Sequence, residues 1–526
     1  LVASIFFDFK IRISRVIGYI AFQPNLLSKK MGLKSTIGYF LALQRAKQIH
    51  KTGKQAIAKQ EKWLLHLVKA AEQTEFGKAH QFSEIRDLAS FQARVPVRNY
   101  EDFLPYLEKI FAGEKNILWP GKPAYLAKTS GTTAGAKYIP ISVQSMPFHI
   151  QGARDALALY IAETRNPAFL DGKMMFLSGS PALSANKAGI PVGRLSGIAH
   201  HYVPKYLLKN RLPNFATNCI EDWENKITQI VAETQNSDLR LISGIPPWVQ
   251  MYFEKIVETT GKKPSELWPN LQVFFHGGVD YSPYQSIFLE TLGKKVDVVE
   301  VYPASEGFIA VQDSLVQEGL LLLIDSGIFY EFIPLEEYGK ADFRRLTLKD
   351  VRMGQHYAIL LTTNAGLWAY EIGDTVRFTS LNPYRIKVSG RVKHFISAFG
   401  EHVIEEEVSL AMEKAIAQSG AQINEFTVAP RIGKDISYHE WFIEFTRPPQ
   451  DLNQFAELLD AELCKQNVYY NDLRKAGVLQ TAQIRLLQRH ACREYMKSIG
   501  KLGGQNKFPH LSNHRNIAEG LSPYLI

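Results

Sequence analysis

The chain has 526 residues, 46% of them hydrophobic and 21% charged, with a formal net charge of +9. That length exceeds what one hydrophobic core supports, so two or more domains are expected, and the composition excludes a disordered or fibrous chain. The positive balance asks for an anionic partner, yet Lys and Arg are scattered without a basic run or a finger spacing. Small anions are therefore expected as partners, and nucleic acid is not. Cys219, Cys464 and Cys492 show neither metal nor redox spacing, which predicts a reducing, cytoplasmic home and no structural zinc.

In chain order, the first thirty residues are apolar in patches, but Asp8, Lys10, Arg12 and Arg15 interrupt any run long enough to span a bilayer. Their charges do not precede the apolar run as a signal peptide requires. "MGLKSTIGYF" at Met31 reads as an ordinary start, so residues 1–30 are expected to be a dispensable or mis-annotated extension. The short myristoylation-like pattern at Gly32 and Thr36 reads as chance. Residues 54–75 predict an amphipathic helix, with Trp63, Leu64, Leu67, Val68 and Ala71 on one stripe.

Short apolar runs then alternate with helical segments at 173–179, 239–244, 271–278 and 295–303, several of them ending in Gly or Pro. Buried strands feeding helices through glycine turns predict an α/β fold with a largely parallel sheet, whose ligands gather at the carboxyl ends of the strands. From about residue 320, "LLLIDSGIFYEFIP", "YAILLTT" and "DTVRFTS" predict a β subdomain. "SLNPYRIKVSGRVKHF" (380–395) reads as a boundary. Beyond it, a helix ending at Gly420, two strands, a helix near 451–465 and a strand near 480–488 predict a small α+β domain. The expected division is a large domain over 31–388, a hinge at 389–395 and a small mobile domain over 396–526.

Four constellations carry chemistry. "TSGTTAGAKYIP" puts the hydroxyls of Thr129, Ser130, Thr132 and Thr133 beside Gly131 and Gly135, with Lys137 following. Exposed backbone N–H groups, hydroxyls and one cation can wrap phosphate oxygens. The spacing is not that of a Walker loop, because three residues rather than four separate the glycines and Ala136 precedes the lysine. "VEVYPASEGF" ends a strand at Tyr302 and delivers Ser305 and Glu306. The ring suits a nucleobase and the carboxylate suits Mg²⁺. "LWAYEIGDTVRF" sets Asp374 in a turn, where a carboxylate can accept ribose hydroxyls. "FFHGGVDYSPY" places Gly277 and Gly278 where a flat ligand can approach the backbone. Each piece taken singly also has an ordinary reading as a surface turn, a buried tyrosine or a turn aspartate.

In this order the motifs, with "SGRVK" at 389–393, resemble the adenylate-forming enzymes. "FGKAHQF", "VPVRNYEDFLPYLEKIFAGEKNILWPGKP", "TSGTTAGAKYIPIS" and "YEIGDTVRF" resemble more narrowly the plant auxin-responsive (Gretchen Hagen) acyl-acid amido synthetases and, nearest, bacterial-type members of that family. The resemblance covers essentially the whole chain after Met31. It implies ATP and Mg²⁺ as cofactors, with small carboxylic acid and amine (amino acid) substrates. It also implies a phosphate loop of Thr129, Ser130, Gly131, Thr132 and Thr133 helped by Lys137. Tyr302 would pack on adenine near Gly277 and Gly278, with Ser305 against the nucleotide, Glu306 on the metal and Asp374 on the ribose. Arg391 would reach the nucleotide from the hinge, and Lys507 of "GGQNKFPH" would enter the active site. Two departures are mild: Thr129-Ser130 replaces a usual Ser-Ser pair, and His510 replaces an arginine.

The implied reaction is attack of a carboxylate on the α-phosphate of ATP, then transfer of the acyl group to an amine. An acyl-CoA ligase and a non-catalytic nucleotide-binding protein are the competing readings. "GRLSGIAHHYVPKYLL" (193–208) is a candidate lining for the acid pocket, against the plain reading of His200 and His201 as helix or loop residues.

Overall fold

The computed structural model describes residues 32–129, 137–202, 208–392, 395–396, 398, 401, 403–433, 436–502 and 507–526. The expected extension over residues 1–30 lies outside them. Two helices open the described chain, α1 (Leu33–Gly53) and α2 (Ala56–Ala71). Helix α2 buries Leu64, Leu67, Val68 and Ala71 as the spacing requires, and Trp63 is half-buried. It is shorter than the pattern because Thr74 begins a new helix, its hydroxyl accepting from the Gly77 N–H. On the same helix Gln60 is buried. Its amide nitrogen donates to the carbonyls of Ile324 and Ile328, and its oxygen accepts from the Tyr330 N–H.

Among the described residues one sheet of eleven strands organises the large domain. Its parallel half contains β3 (Lys173–Phe176), β4 (Leu239–Ser243), β5 (Val273–His276) and β6 (Asp297–Pro303), with a short outer strand at Arg211–Leu212. A smaller sheet holds β1 (Tyr125–Thr129), β2 (Lys137–Ile141) and two short strands, Pro191–Gly193 and Ser184–Ala185. Neighbouring side chains of the parallel strands point to opposite faces, and both faces are covered. Phe274 packs among Trp223, Trp248 and Phe253, whereas Phe275 packs with Leu159 and Tyr160. This double covering explains why the strands read as unbroken apolar runs.

After Pro303 the direction reverses. The turn Ala304–Gly307 is too short for a crossover helix, so β7 (Phe308–Val311) returns antiparallel to β6. The strands expected as a β subdomain are present as β8 (Leu320–Leu322), β9 (Ile328–Pro334), β10 (His356–Thr363), β11 (Tyr370–Leu381) and β12 (Tyr384–Arg391). They continue the same sheet, in the order β9-β10-β11-β12-β8-β7-β6-β5-β4-β3. The stretch 380–395, read as a boundary, is therefore a hairpin of this sheet as far as Arg391. The cores change over next to it: Val392 packs with Ile333 and Leu360, but Ile396 belongs to the C-terminal core.

That core lies between α3 (Glu405–Ser419), α4 (Leu452–Gln466) and the strands β13 (Gln422–Arg431), β14 (Tyr438–Arg447) and β15 (Gln483–Leu486). Val408, Met412, Phe426, Trp441, Phe455 and Leu459 fill it. Helix α3 starts on three glutamates, which suit its positive N-terminal end, and stops at Gly420 with φ +69°.

The C-terminal unit rests on the helical turn after β5. The buried Tyr284 hydroxyl donates to Glu425 Oε1 at 2.8 Å and lies 2.9 Å from His510 Nε2, which is itself 3.0 Å from Glu425. Burial pulls the His510 pKa down, but the hydrogen bond and charge of Glu425, with Glu405 and Asp280 behind it, outweigh burial and raise it. The imidazolium contribution is thus complete below the ordinary value of about 6.5 and is lost as pH rises through the higher folded value. We expect Tyr284→Phe to weaken docking by about 1–3 kcal/mol. Limited proteolysis of the wild type should accelerate as pH rises through that transition. Identical, pH-independent proteolysis of both proteins would contradict this contact.

Candidate active site

The strands β3, β4, β5 and β6 run parallel, so their carboxyl ends open on one side, and most of the residues singled out from the sequence fall there. Tyr302 is the penultimate residue of β6. Its hydroxyl donates to Asp374 Oδ2 at 2.6 Å, and Arg391 Nε donates to Asp374 Oδ1 at 3.0 Å. Asp374 and Arg391 face each other in the β11–β12 register, which places this pair at the last rung of the large sheet. Asp374 does not sit in the turn expected from the sequence. Gly373 and Asp374 lie inside β11, at the register shift against β10 between Ala358 and Leu360, and Gly373, at φ +90°, supplies the backbone conformation of that irregularity. Both oxygens of Asp374 are engaged, and each keeps a lone pair for a further donor.

Tyr302 is only 8% exposed, and its ring belongs to the core of the antiparallel half beside Ile309, Val376 and Ile386. Little of the ring is open to a base in this conformation; its hydroxyl is what joins it to the cleft. The expectation of a ring laid on adenine therefore fits this burial poorly.

Glu306 and Ser305 sit in the turn between β6 and β7, both half-buried. Burial pushes the Glu306 carboxyl up to about 7; its own backbone N–H and the charges of Lys137 and Arg391 oppose the rise, and Asp374 reinforces it. Lys137 opens β2 opposite Thr129, and its ammonium stands 5.2 Å from the centre of the Tyr100 ring. Ser130, Gly131, Thr132 and Thr133 lie outside the described residues.

Two glycines shape the floor. A Cβ on Gly277 would stand 2.3 Å from the Val301 carbonyl oxygen, so no side chain fits. Gly278 has φ +96°, and a Cβ there would meet Lys507 Cε at 2.8 Å and Nζ at 3.1 Å. The absence of side chains is what allows Lys507 to lie across the exit of β5. Lys507 is open to the cleft yet enclosed by protein around it. That enclosure lowers its pKa, Arg391 lowers it further, and Asp374 and Glu405 oppose.

The structure thus brings together Gly277, Gly278, Tyr302, Glu306, Asp374, Arg391 and Lys507, with Thr129 and Lys137 on the neighbouring sheet. Sequence reasoning missed Glu405, which acts on Arg391, Lys507 and His510 from the start of α3. The run of three glutamates was visible, but its position over the cleft was not. Sequence reasoning also left Arg211 and Lys226 without a place, although the stretch 193–208, which carries Arg194, was read as a candidate lining for the acid pocket.

A sheet parallel in one half and antiparallel in the other, with a C-terminal α+β unit reaching its strand ends, is the fold of adenylate-forming enzymes. The structure of an acyl acid amido synthetase superposes with a TM-score of 0.75 at 17% identity, over 95% of this chain and 98% of that one. A 2-hydroxyisobutyryl-CoA ligase in its postadenylation state gives 0.57 at 12% identity, over 90% and 92%.

The chain belongs to the GH3 family, whose N-terminal, central and C-terminal domains match residues 45–221, 321–391 and 406–516. A jasmonoyl–L-amino acid synthetase of Nicotiana attenuata is 21% identical over 509 residues, covering 82% of this chain and 87% of that protein. An indole-3-acetic acid-amido synthetase of Arabidopsis thaliana is 21% identical over 553 residues, covering 89% and 91%. The resemblance to this family read from the motifs is borne out; none of these relatives bears on the narrowing to bacterial-type members.

A carboxyl held near 7 by burial destabilises the folded chain once it ionises. Its raised value means that stability is lost as pH climbs from 4.5, the ordinary value, through about 7. Glu306→Gln should therefore stabilise the ligand-free protein, by an amount that grows across that range and then levels off in denaturant unfolding. An increment independent of pH would show that Glu306 is not the buried acid described.

Proposed function

We propose that the chain is an ATP-dependent acyl-acid amido synthetase, which adenylates a carboxylic acid and transfers the acyl group to an amine, with an amino acid as the acceptor. The observation that carries this reading is the convergence of Asp374, Arg391, Glu306 and Lys507 on the strand ends of a GH3-family chain. The relatives named as amino acid synthetases favour an amine over a thiol. Free cysteines at all three positions and the absence, among the described residues, of any helix long and apolar enough to cross a membrane accord with a cytoplasmic reaction.

In the first half-reaction a substrate carboxylate oxygen attacks the α-phosphorus and pyrophosphate leaves. Lys137, Arg391 and Lys507 offset the negative charge that gathers on the phosphates. The carboxylate is already ionised at neutral pH, so this step asks for no general base. Asp374 takes the ribose hydroxyls with its remaining lone pairs, and Tyr302 and Arg391 fix its orientation. We assign Tyr302 this positioning role in place of base stacking.

Among the described residues no three acidic or histidine side chains gather, and Glu306 is the carboxylate beside the phosphate-facing cations. That donor set fits Mg²⁺, which typically takes few protein ligands and several phosphate and water oxygens. When bound, the metal supplies neutralisation of the departing pyrophosphate. The segment 389–395, beside which the cores change over, then serves as the hinge between residues 31–388 and 396–526. Swinging the C-terminal unit withdraws Lys507 and admits the amine, whose nitrogen attacks the acyl carbon and releases AMP.

The test is ATP–pyrophosphate exchange with a panel of aryl and aliphatic acids, wild type against Glu306→Ala, followed by product analysis with amino acids or CoA. Acid-dependent exchange lost in the variant, with amide and no thioester as product, is the expected result. Thioester formation would overturn the acceptor assignment, and tight ATP binding without exchange would overturn adenylation.

A further inference from the structure

The fold matches its buried cations with acids in most places. Arg45 pairs with Asp155, Arg345 with Glu331, Arg385 with Asp313 and Arg474 with Asp460, each within 2.8 Å. One group breaks the pattern. Where β3 ends, Arg211 lies with its guanidinium carbon 4.8 Å from the centre of the Phe176 ring. Two residues on, the Ser178 carbonyl accepts from Lys226 Nζ at 3.0 Å, and the Asn218 carbonyl accepts from the same ammonium at 2.7 Å. One residue further, Arg194 Cδ would stand 2.5 Å from a Cβ on Gly179, so the glycine makes room for that side chain. Lys226 is 3% exposed and Arg194 and Arg211 are half-buried, yet among the described residues no carboxylate pairs with any of the three. Beside Arg211, His200 is 9% exposed, and its Nδ1 has no hydrogen-bond partner among the described residues.

The place matters as much as the charge. Arg194 follows the strand Pro191–Gly193, which pairs parallel with β1 so that Gly193 stands level with Ala127. Arg194 therefore leaves its strand beside Lys128, one residue before Thr129. The cluster stands at the carboxyl end of β3, on the same side as Gly277 and Tyr302. Three strand spacings from β6 put it about 14 Å from the Asp374 end of the cleft. Taking cations out of water without an anion is costly, and an anion brought by a ligand relieves that cost. The unengaged Arg194 fork matches the two oxygens of a carboxylate. Burial lowers the Arg211 pKa to about 10, and burial with the charge of Arg194 lowers Lys226 to about 8 against the opposing influence of Cys219.

We propose that Arg194, Arg211 and Lys226 form a subsite for a second substrate carboxylate, one that is not adenylated. This rests on the amido synthetase reading. The carboxylate comes either from the far end of a dicarboxylic acyl substrate or from the amino acid acceptor. His200, neutral beside Arg211, offers one further hydrogen-bonding position.

The experiment is a thermal-shift titration of the full chain without ATP. It uses straight-chain dicarboxylates from malonate to sebacate and the common amino acids, each beside its monoamide or amide. At least one carboxylate should stabilise the wild type saturably, with its neutral counterpart at least tenfold weaker. Arg194→Gln should weaken that carboxylate tenfold or more, and Arg194→Lys should restore part of the loss. A dicarboxylate response assigns the subsite to the acyl substrate, and an amino acid response assigns it to the acceptor. Should Arg194→Gln fail to fold, Arg211→Gln on the outer strand is read in the same way. The proposal is overturned if no carboxylate separates wild type from variant, or if the variant instead weakens a parallel ATP titration, which would give the cations to the nucleotide phosphates. Failure of the adenylation reading shows separately, as absent pyrophosphate exchange in the wild type.

Discussion

The Asp374 carboxylate, held between the Tyr302 hydroxyl at 2.6 Å and Arg391 Nε at 3.0 Å, ties three pieces of the chain to one point. Tyr302 closes the parallel half of the sheet, Asp374 comes from the antiparallel half, and Arg391 is the last strand residue before the C-terminal unit. A buried hydroxyl and a half-buried guanidinium both depend on that acid for a partner, and the cost of losing it falls on both. The electrostatics of the cleft follow from the same centre. Asp374 adds to the raised Glu306 pKa and offsets the fall at Lys507, while Arg391 does the reverse at each.

The second constraint is the seat of the C-terminal unit. Lys507 is three residues before His510, and His510 is anchored with Glu425 against Tyr284 of the large domain. The anchor and the lysine are too close along the chain to move independently. In the proposed reaction, a rotation that withdraws Lys507 would break the Tyr284 contact, and a protonated, docked His510 would favour the first half-reaction. On that proposal, packing, protonation and the order of chemical steps would be coupled through this short segment.

The parallel half of the fold was legible in the sequence because strands buried on both faces leave unbroken apolar runs, such as "VFFH" at β5. The continuation of the sheet past Pro303 was not, since a hairpin strand reads alike whether it extends an old sheet or starts a new one. Tyr302, Glu306 and Asp374 were legible as a group only because several weak motifs occurred in order. Their contacts depend on which strands become neighbours across 72 residues, and local pattern carries no such information. The ring burial of Tyr302 shows the same limit: a tyrosine at a strand end can present a face or a hydroxyl, and tertiary packing decides. Arg211 and Lys226 escaped notice for the opposite reason, while Arg194 entered only as part of the 193–208 stretch read as a candidate lining for the acid pocket. Each looks like an ordinary surface cation until the fold gathers them without an acid.

The most direct test of the account is calorimetric binding of a non-hydrolysable acyl-sulfamoyl adenosine, matched to an acid active in exchange, to wild type and Asp374→Asn. The account predicts tight binding to the wild type and a loss of tenfold or more in the variant, with the C-terminal unit still protected from protease. Equal affinity in both proteins would contradict the placing of the nucleoside at Asp374, and with it the centre on which the proposed reaction is built.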